Sequence, residues 1–118
     1  MLITNFNGAA MSANTTIYRV DKFVVPQAAR EEFLKRVYET HEILRRQSGF
    51  IRDALLEQSS GPGRFNIVTV VEWESQAAID AARVVVETAR AATGFNAQET
   101  MARLGIEPDM ANYKQIGA

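Results

Sequence analysis

The chain has 118 residues, with 13 Lys or Arg against 14 Asp or Glu and a formal net charge of −1 at pH 7. This balance argues against nucleic acid or an anionic membrane as a partner, because both need a cationic surface. The chain has no cysteine and one histidine, so thiolate nucleophiles, disulfides and His-rich metal sites are excluded. Its length suits one domain with its own core.

The first segment, residues 1–14, is rich in Asn and Ala and carries no Lys or Arg. It lacks the charged start of a secretory signal, so we expect a flexible lead-in to a domain that spans residues 15–118. No apolar run approaches the roughly 18 residues that a membrane span needs. The expected compartment is therefore the cytoplasm.

The first predicted elements are a strand and a long helix. Residues 15–25 are rich in β-branched and aromatic side chains, which predicts a strand ended by Pro26. Residues 27–48 have helical periodicity, and Gly49 is expected to cap that helix. The apolar face of the helix carries Phe33, Leu34, Val37, His41 and Leu44.

A hairpin is predicted next, from strands at residues 50–59 and 64–74 joined by a Gly-Pro-Gly turn at 61–63. The second of these strands is apolar at its odd positions and also at Val68 and Val70. A strand that is apolar on both faces is covered on both faces. Because helices can cover only one of them, this pattern predicts a homodimer.

The last predicted elements are two helices and a strand. Ser75 is a good N-cap for a helix over residues 76–93, and Asn96 with Glu99 has capping-box spacing for a short helix that ends near Leu104. Residues 110–116, after Pro108, are predicted as the final strand. The order β-α-β-β-α-α-β predicts an α+β, ferredoxin-like βαββαβ fold, with an antiparallel sheet, helices on one face, and a dimeric α+β barrel. In the longer helix the expected buried stripe is Ile79, Ala82, Val85, Val86 and Ala89.

The stretch from Lys22 to Ala82 resembles the antibiotic biosynthesis monooxygenase family, whose members are dimeric α+β barrels. The family includes cofactor-free oxygenases of aromatic polyketides, haem degraders, quinol oxygenases and members without known activity. The haem-degrading branch relies on a Trp and a His in the second long helix, and residues 76–93 contain neither. The resemblance rests on Phe23-Val24-Val25-Pro26, Arg30-Glu31-Glu32-Phe33, His41, Leu44-Arg45, Ser48-Gly49-Phe50-Ile51, Gly63-Arg64-Phe65 and Val71-Glu72-Trp73-Glu74-Ser75.

Four residues are candidates for catalysis. His41 falls on the apolar helix face, where a neutral imidazole could act as a base or could be a structural core histidine. Trp73 could form an aromatic wall or anchor the core. Asn66 could hold an enolate oxygen or dioxygen, or be a turn residue on the strand face opposite Trp73. Tyr38 could donate to a substrate carbonyl or be structural.

The resemblance, together with the inward position expected for His41, implies a cofactor-independent monooxygenase that uses dioxygen on a small aromatic or quinol-type substrate. The chain lacks a Gly-rich phosphate loop and a nucleophile elbow, so the substrate itself would supply the electrons. Two alternatives stay open. One is a non-catalytic barrel that binds a small ligand or is associated with stress; the other is an isomerase or degradative enzyme of a small metabolite.

Overall fold

A computed structural model describes residues 15–117. Over this range the chain forms one four-stranded antiparallel sheet, three α-helices and a short 3-10 turn at Gln27–Ala29. In chain order the elements are β1 (Ile17–Val24), α1 (Arg30–Leu44), β2 (Phe50–Glu57), β3 (Ile67–Trp73), α2 (Gln76–Thr93), α3 (Ala97–Leu104) and β4 (Glu107–Tyr113).

The sheet has the strand order β2-β3-β1-β4, with all neighbours antiparallel. The fold is therefore the predicted ferredoxin-like α+β arrangement. In β3 the odd positions, Ile67 to Trp73, are all buried, while the even positions are partly exposed. Strand side chains alternate between faces, so the odd positions of β3 and β1 face the helices.

The apolar core under the helices is divided into two clusters. One joins Phe23, Phe33, Val37, Ile67 and Ile106, beneath the first half of α1 and beside α3. The other joins Val71, Trp73, Ile79 and Ala82, with Leu44 at its margin. The side chains that lie between the clusters are polar, and they form the candidate site described below.

The end of α1 differs from the prediction. The helix stops at Leu44 and is capped at Arg45 in helical geometry, so Gly49 is not its cap. Gly49 has φ +86°, and a Cβ built there would lie 2.5 Å from Ala78 Cβ. Glycine is needed at this point because the chain enters β2 against the first turn of α2 with no room for a side chain.

Strand β4 was predicted at residues 110–116, but it runs from Glu107 to Tyr113 and includes Pro108. Proline ends a central strand, yet an edge strand tolerates it, because its missing N–H can face away from the sheet. β4 pairs only with β1, and Pro108 lies opposite Phe23. The other strands are shorter than predicted by one to three residues at each end where they differ.

Helix α2 has the predicted bounds and the predicted cap, because Ser75 Oγ accepts a hydrogen bond from the amide of Ala78 at 3.2 Å. Its buried stripe is narrower than predicted. Ile79, Ala82 and Val86 are buried, but Val85 is 40% exposed. No helix within residues 15–117 is both long and apolar enough to cross a membrane. The segment predicted to be a flexible lead-in, residues 1–14, lies outside the described residues.

Candidate active site between the helices and the sheet

A polar layer separates the two apolar clusters at the middle of the helix-facing side of the sheet. His41 and Thr69 are the buried polar residues of the described chain, 5% and 4% exposed. On the sheet, Thr69 of β3 lies between Leu55 of β2 and Asp21 of β1, and Asp53 lies one step further along β2. The layer therefore joins α1 to strands β1, β2 and β3.

His41 is held by a carboxylate. Its Nδ1 lies 2.9 Å from Asp53 Oδ2, and the Nε of Arg45 donates to the same oxygen at 3.0 Å. Partial burial raises the pKa of Asp53, but the hydrogen bonds from His41 and Arg45 outweigh it and hold that pKa below its ordinary value. An ionised Asp53 can only accept, so the proton of this hydrogen bond lies on Nδ1, and Nε2 is on the opposite side of the ring.

Two buried polar atoms of the layer have no hydrogen-bond partner among residues 15–117. They are His41 Nε2, on the side of the ring away from Nδ1, and the hydroxyl of Thr69. Buried polar groups are nearly always paired with protein or water. Unpaired groups in this position can bind the oxygen atoms of a ligand.

Asp21 is the second carboxylate of the layer. Its Oδ1 accepts from Arg19 Nε at 2.6 Å, and both side chains remain partly exposed. Burial raises the pKa of Asp21, and the attraction of Arg19 and of His41 only partly offsets this effect. The histidine therefore has two carboxylates near it, and their pKa values are displaced in opposite directions.

A small cleft opens beside this layer, between α1 and strands β2 and β3. Its volume is about 100 Å³, and Tyr38, Thr69, Val37 and Leu55 line it. Tyr38 is 55% exposed and stands at its outer margin. Pockets for small ligands usually measure about 300–1,000 Å³, so a ring-sized substrate enters only if the cleft widens.

The structure separates the four predicted catalytic residues. His41 belongs to the polar layer, and Tyr38 lines the adjoining cleft. Trp73 is 2% exposed inside the second apolar cluster, with its ring 5.7 Å from that of Phe50 in an edge-to-face contact. Trp73 shares the helix-facing side of β3 with Thr69, four residues away.

Asn66 lies just before β3 and not within it. Its Oδ1 accepts from the amide of Val25 and its Nδ2 donates to the carbonyl of Val25, both at 2.8 Å. Both ends of the Asn66 amide are thus engaged with the chain that leaves β1. This geometry ties the end of β1 to the start of β3.

Asp21, Asp53 and Thr69 were not among the sequence-predicted candidates. The sequence did contain a signal for Asp21. Alternate residues of a strand face the same side, so Asp21 faces the helices as Phe23 does. Asp53 was harder to find, because an irregular register between Phe50 and Arg52 shifts the alternation at the start of β2. The pairing of Asp53 with His41 depends on that shift.

Comparisons with known proteins agree with this architecture. A family model described as antibiotic biosynthesis monooxygenase matches residues 16–92. A candidate monooxygenase from Shewanella loihica PV-4 superposes with a TM-score of 0.67 at 18% identity, covering 88% of this chain and 97% of that one. SnoaB from Streptomyces nogalater, a cofactor-independent oxygenase, gives 0.66 at 20% identity, covering 88% and 96%.

A third solved structure is the haem degrader MhuD from Mycobacterium tuberculosis, with two haems bound in its active site. It gives a TM-score of 0.61 at 21% identity, covering 86% of this chain and 97% of that one. At these identities the likeness is one of fold. No curated protein sequence matches the chain.

The residues that the structure describes do not fit a haem or a metal ion. Its one imidazole is buried, with Nδ1 bound to Asp53, and the adjoining cleft of about 100 Å³ is far smaller than a porphyrin. Within residues 15–117, no three His, Asp or Glu side chains converge as metal ligands.

Proposed function

The chain belongs to the antibiotic biosynthesis monooxygenase family, and from this premise we propose that it is a cofactor-independent monooxygenase of a small aromatic or quinol-type substrate. The observation that carries the proposal is the buried pair of His41 and Asp53, 2.9 Å apart, with His41 Nε2 unpaired among the described residues. A carboxylate that fixes the tautomer of a histidine is a common way to prepare a general base.

In the proposed reaction the substrate supplies the electrons. His41 Nε2 removes a proton from an acidified CH₂ or hydroxyl group, and the resulting carbanion or enolate is electron-rich enough to reduce dioxygen. For a CH₂ group, a C–O bond forms to give a hydroperoxide. Loss of the second C–H proton and cleavage of the O–O bond then give a ketone and water. One dioxygen is reduced by four electrons and the carbon is oxidised by four, so no external reductant is needed. For a quinol, deprotonation of a hydroxyl group lets a ring C–H carbon form the bond to dioxygen. Loss of that C–H proton with cleavage of the O–O bond then gives a hydroxyquinone and water, which is again a four-electron oxidation of the substrate.

The polar layer suits the charges that develop in these steps. The Thr69 hydroxyl can donate to the enolate oxygen, and the imidazolium formed at His41 is stabilised by the ionised Asp53. His41 returns its proton to the departing oxygen. Tyr38 and the apolar residues of the cleft contact the ring and exclude water.

The test is oxygen uptake by the purified protein with an anthrone and with a hydroquinone. We expect His41→Ala to reduce turnover about 10²- to 10⁴-fold, the usual contribution of a general base. Glu42→Gln is the control, because Glu42 is the exposed neighbour of His41 on the same helix. Circular dichroism checks that each variant folds.

The two parts of the proposal fail separately. A wild-type protein that consumes no dioxygen above the uncatalysed rate with either compound would contradict the monooxygenase function. Unchanged turnover in His41→Ala would contradict only the assignment of the base. Asp53→Asn should slow turnover and displace its pH profile, because the orientation and the charge beside Nδ1 both change.

We propose in addition that a second copy of the chain covers the open face of the sheet. This face carries an apolar centre, in which Val70 lies between Val20 of β1 and Ala54 of β2. Arg52 and Glu72 flank it and form an ion pair at 2.7 Å. Leu56 and Tyr113, on the same face, are 52% and 45% exposed, and apolar patches of this kind mark interfaces.

Light scattering after size exclusion tests the dimer. We expect the wild-type protein to have twice the mass of the chain, and Val70→Asp to have the mass of one chain, because a carboxylate at the centre of the interface would be buried without a partner. Ala81→Asp is the control on the exposed side of α2. A monomeric wild-type protein would contradict the proposal.

A further inference from the structure

A second and larger hollow lies away from the polar layer, between α1 and the connection from α2 to α3. Its volume is about 560 Å³, which falls within the range of small-molecule pockets. Its wall is mostly polar and includes the start of α3, whose Asn96 cap accepts from the amide of Glu99. The residues that line it include Arg36, Phe95, Glu99, Thr100 and Arg103.

Arginine and aromatic side chains dominate one side of the hollow. The guanidinium of Arg36 lies 4.2 Å from the centroid of Phe95, within the range of a cation–π contact. Its carboxylate partner is Glu39 at 3.5 Å, and both side chains are about half exposed, so this pair neutralises Arg36 only weakly. Arg103 is held by Glu32 at 2.6 Å through one nitrogen, and its remaining N–H donors stay available.

A third arginine, Arg90, also lies close to the ring of Phe95. Arg90 lies 5.6 Å from the ring centroid and donates to Thr40 Oγ1 at 3.4 Å, but it forms no salt bridge with a described residue. Burial lowers the pKa of Arg90, and the neighbouring Glu87 only partly offsets this. A half-buried guanidinium without a carboxylate partner is an unfavourable charge, and an anion bound nearby would stabilise it.

We propose that this hollow is a binding site for a small organic anion, whose carboxylate or phosphate oxygens lie between Arg36 and Arg103. Two guanidiniums can receive such a group by charge-assisted hydrogen bonds, and Thr100 adds a hydroxyl to the wall. Glu99 is the carboxylate among the lining residues, and it opposes the anion. The site shares α1 with the candidate active site but none of its residues, so it does not depend on the proposed function.

The probes are citrate and inorganic pyrophosphate, titrated at constant ionic strength and followed by calorimetry. We expect a dissociation constant of about 1 mM or tighter for at least one probe. Arg36→Gln should weaken binding about tenfold, the effect of losing one charge-assisted hydrogen bond. Glu99→Gln should tighten binding, because the opposing carboxylate is removed. Arg83→Gln is the control, since Arg83 pairs with Asp80 on the outer side of α2.

Amide NMR shifts of the wild-type protein give a readout that needs no variant. With the probe that binds, the largest changes should fall on Phe95, Asn96 and Thr100. The proposal is wrong if neither probe binds, or if Arg83→Gln weakens binding as much as Arg36→Gln does, since that result indicates a non-specific charge effect. It is also wrong if Glu99→Gln weakens binding or if the shifts lie elsewhere.

Discussion

Asp53 is the residue on which the orientation of His41 depends. It accepts hydrogen bonds from His41 and Arg45 on one oxygen and is only 13% exposed. Asp21, on the other side of the central strand, is paired with Arg19 but has a raised pKa. The two carboxylates therefore affect folding stability in opposite ways as the pH changes.

The pH dependence of stability follows from these directions. The pKa of Asp53 is lower in the folded chain than in the unfolded one, so its ionised form stabilises the fold above about pH 4 and that contribution is lost as the pH falls through the folded pKa. The pKa of Asp21 is higher in the folded chain, so its ionisation lowers stability as the pH rises through the folded pKa.

Urea unfolding of Asp53→Asn and Asp21→Asn between pH 3 and pH 7 distinguishes the two carboxylates. We expect Asp53→Asn to lower the free energy of unfolding by about 2 kcal/mol at neutral pH, with a smaller loss in acid. Asp21→Asn should become more stable relative to the wild type as the pH rises above about 4. If the differences from the wild type change in the same direction with pH, the assignment of these two environments is wrong.

Gly49 shows how a single backbone position sets the packing of two elements. A side chain at position 49 would overlap with Ala78, and its residue would have to adopt a φ of +86°, which is unfavourable for residues other than glycine. Gly49→Ala should therefore lower the free energy of unfolding by about 3 kcal/mol, from strain and overlap together. Gly61→Ala is the matched control, because Gly61 also has positive φ, at +96°, but nothing lies within 4 Å of its Cβ position. Equal losses in the two variants would show that the approach of Ala78 contributes nothing.

At the scale of elements, Asn66 joins the end of β1 to the start of β3 through both groups of its amide. We expect Asn66→Ala to lower the free energy of unfolding by about 2 kcal/mol, because two backbone groups of Val25 lose their partner. Asn112→Ala, at an exposed site on β4, should change it by less than about 0.5 kcal/mol. A stable Asn66→Ala protein with impaired oxygen uptake would instead favour the catalytic role considered for Asn66.

The elements also show what the sequence could predict. Between Ile17 and Tyr113, the order and type of the strands and α-helices followed from periodicity and from caps such as Ser75, which act locally. The bounds of β4 could not be predicted in this way. A strand accepts Pro108 only if it lies at the edge of the sheet, and the sequence does not show where β4 lies in the sheet. His41 was found from helical spacing. Asp53 contacts it, and Thr69 lies beside Asp21 and Leu55 on the same sheet face, only through the register of three strands, and no local pattern contains that register.

At the scale of the whole molecule, the helices cover one side of the sheet and the other side keeps Val70, Leu56 and Tyr113 partly exposed. The proposed dimer would bury that side without touching the polar layer, which lies on the opposite face. Activity and assembly are then separable, and Val70→Asp should keep some oxygen uptake if it remains folded. Complete loss of uptake in a folded monomer would show that the second copy is needed for the chemistry.

The division of the core into two clusters has a consequence for how a ligand reaches His41. Helix α1 packs on one cluster through Phe33 and Val37 and contacts the other through Leu44. At these two apolar contacts, separating α1 from the sheet costs free energy in proportion to the apolar area that is buried. In the polar layer between them, hydroxyl and carboxylate groups can exchange hydrogen-bond partners with water or substrate. We therefore expect a ligand to reach His41 by local separation of α1 from the sheet at the polar layer, while the apolar contacts on either side of that layer are kept.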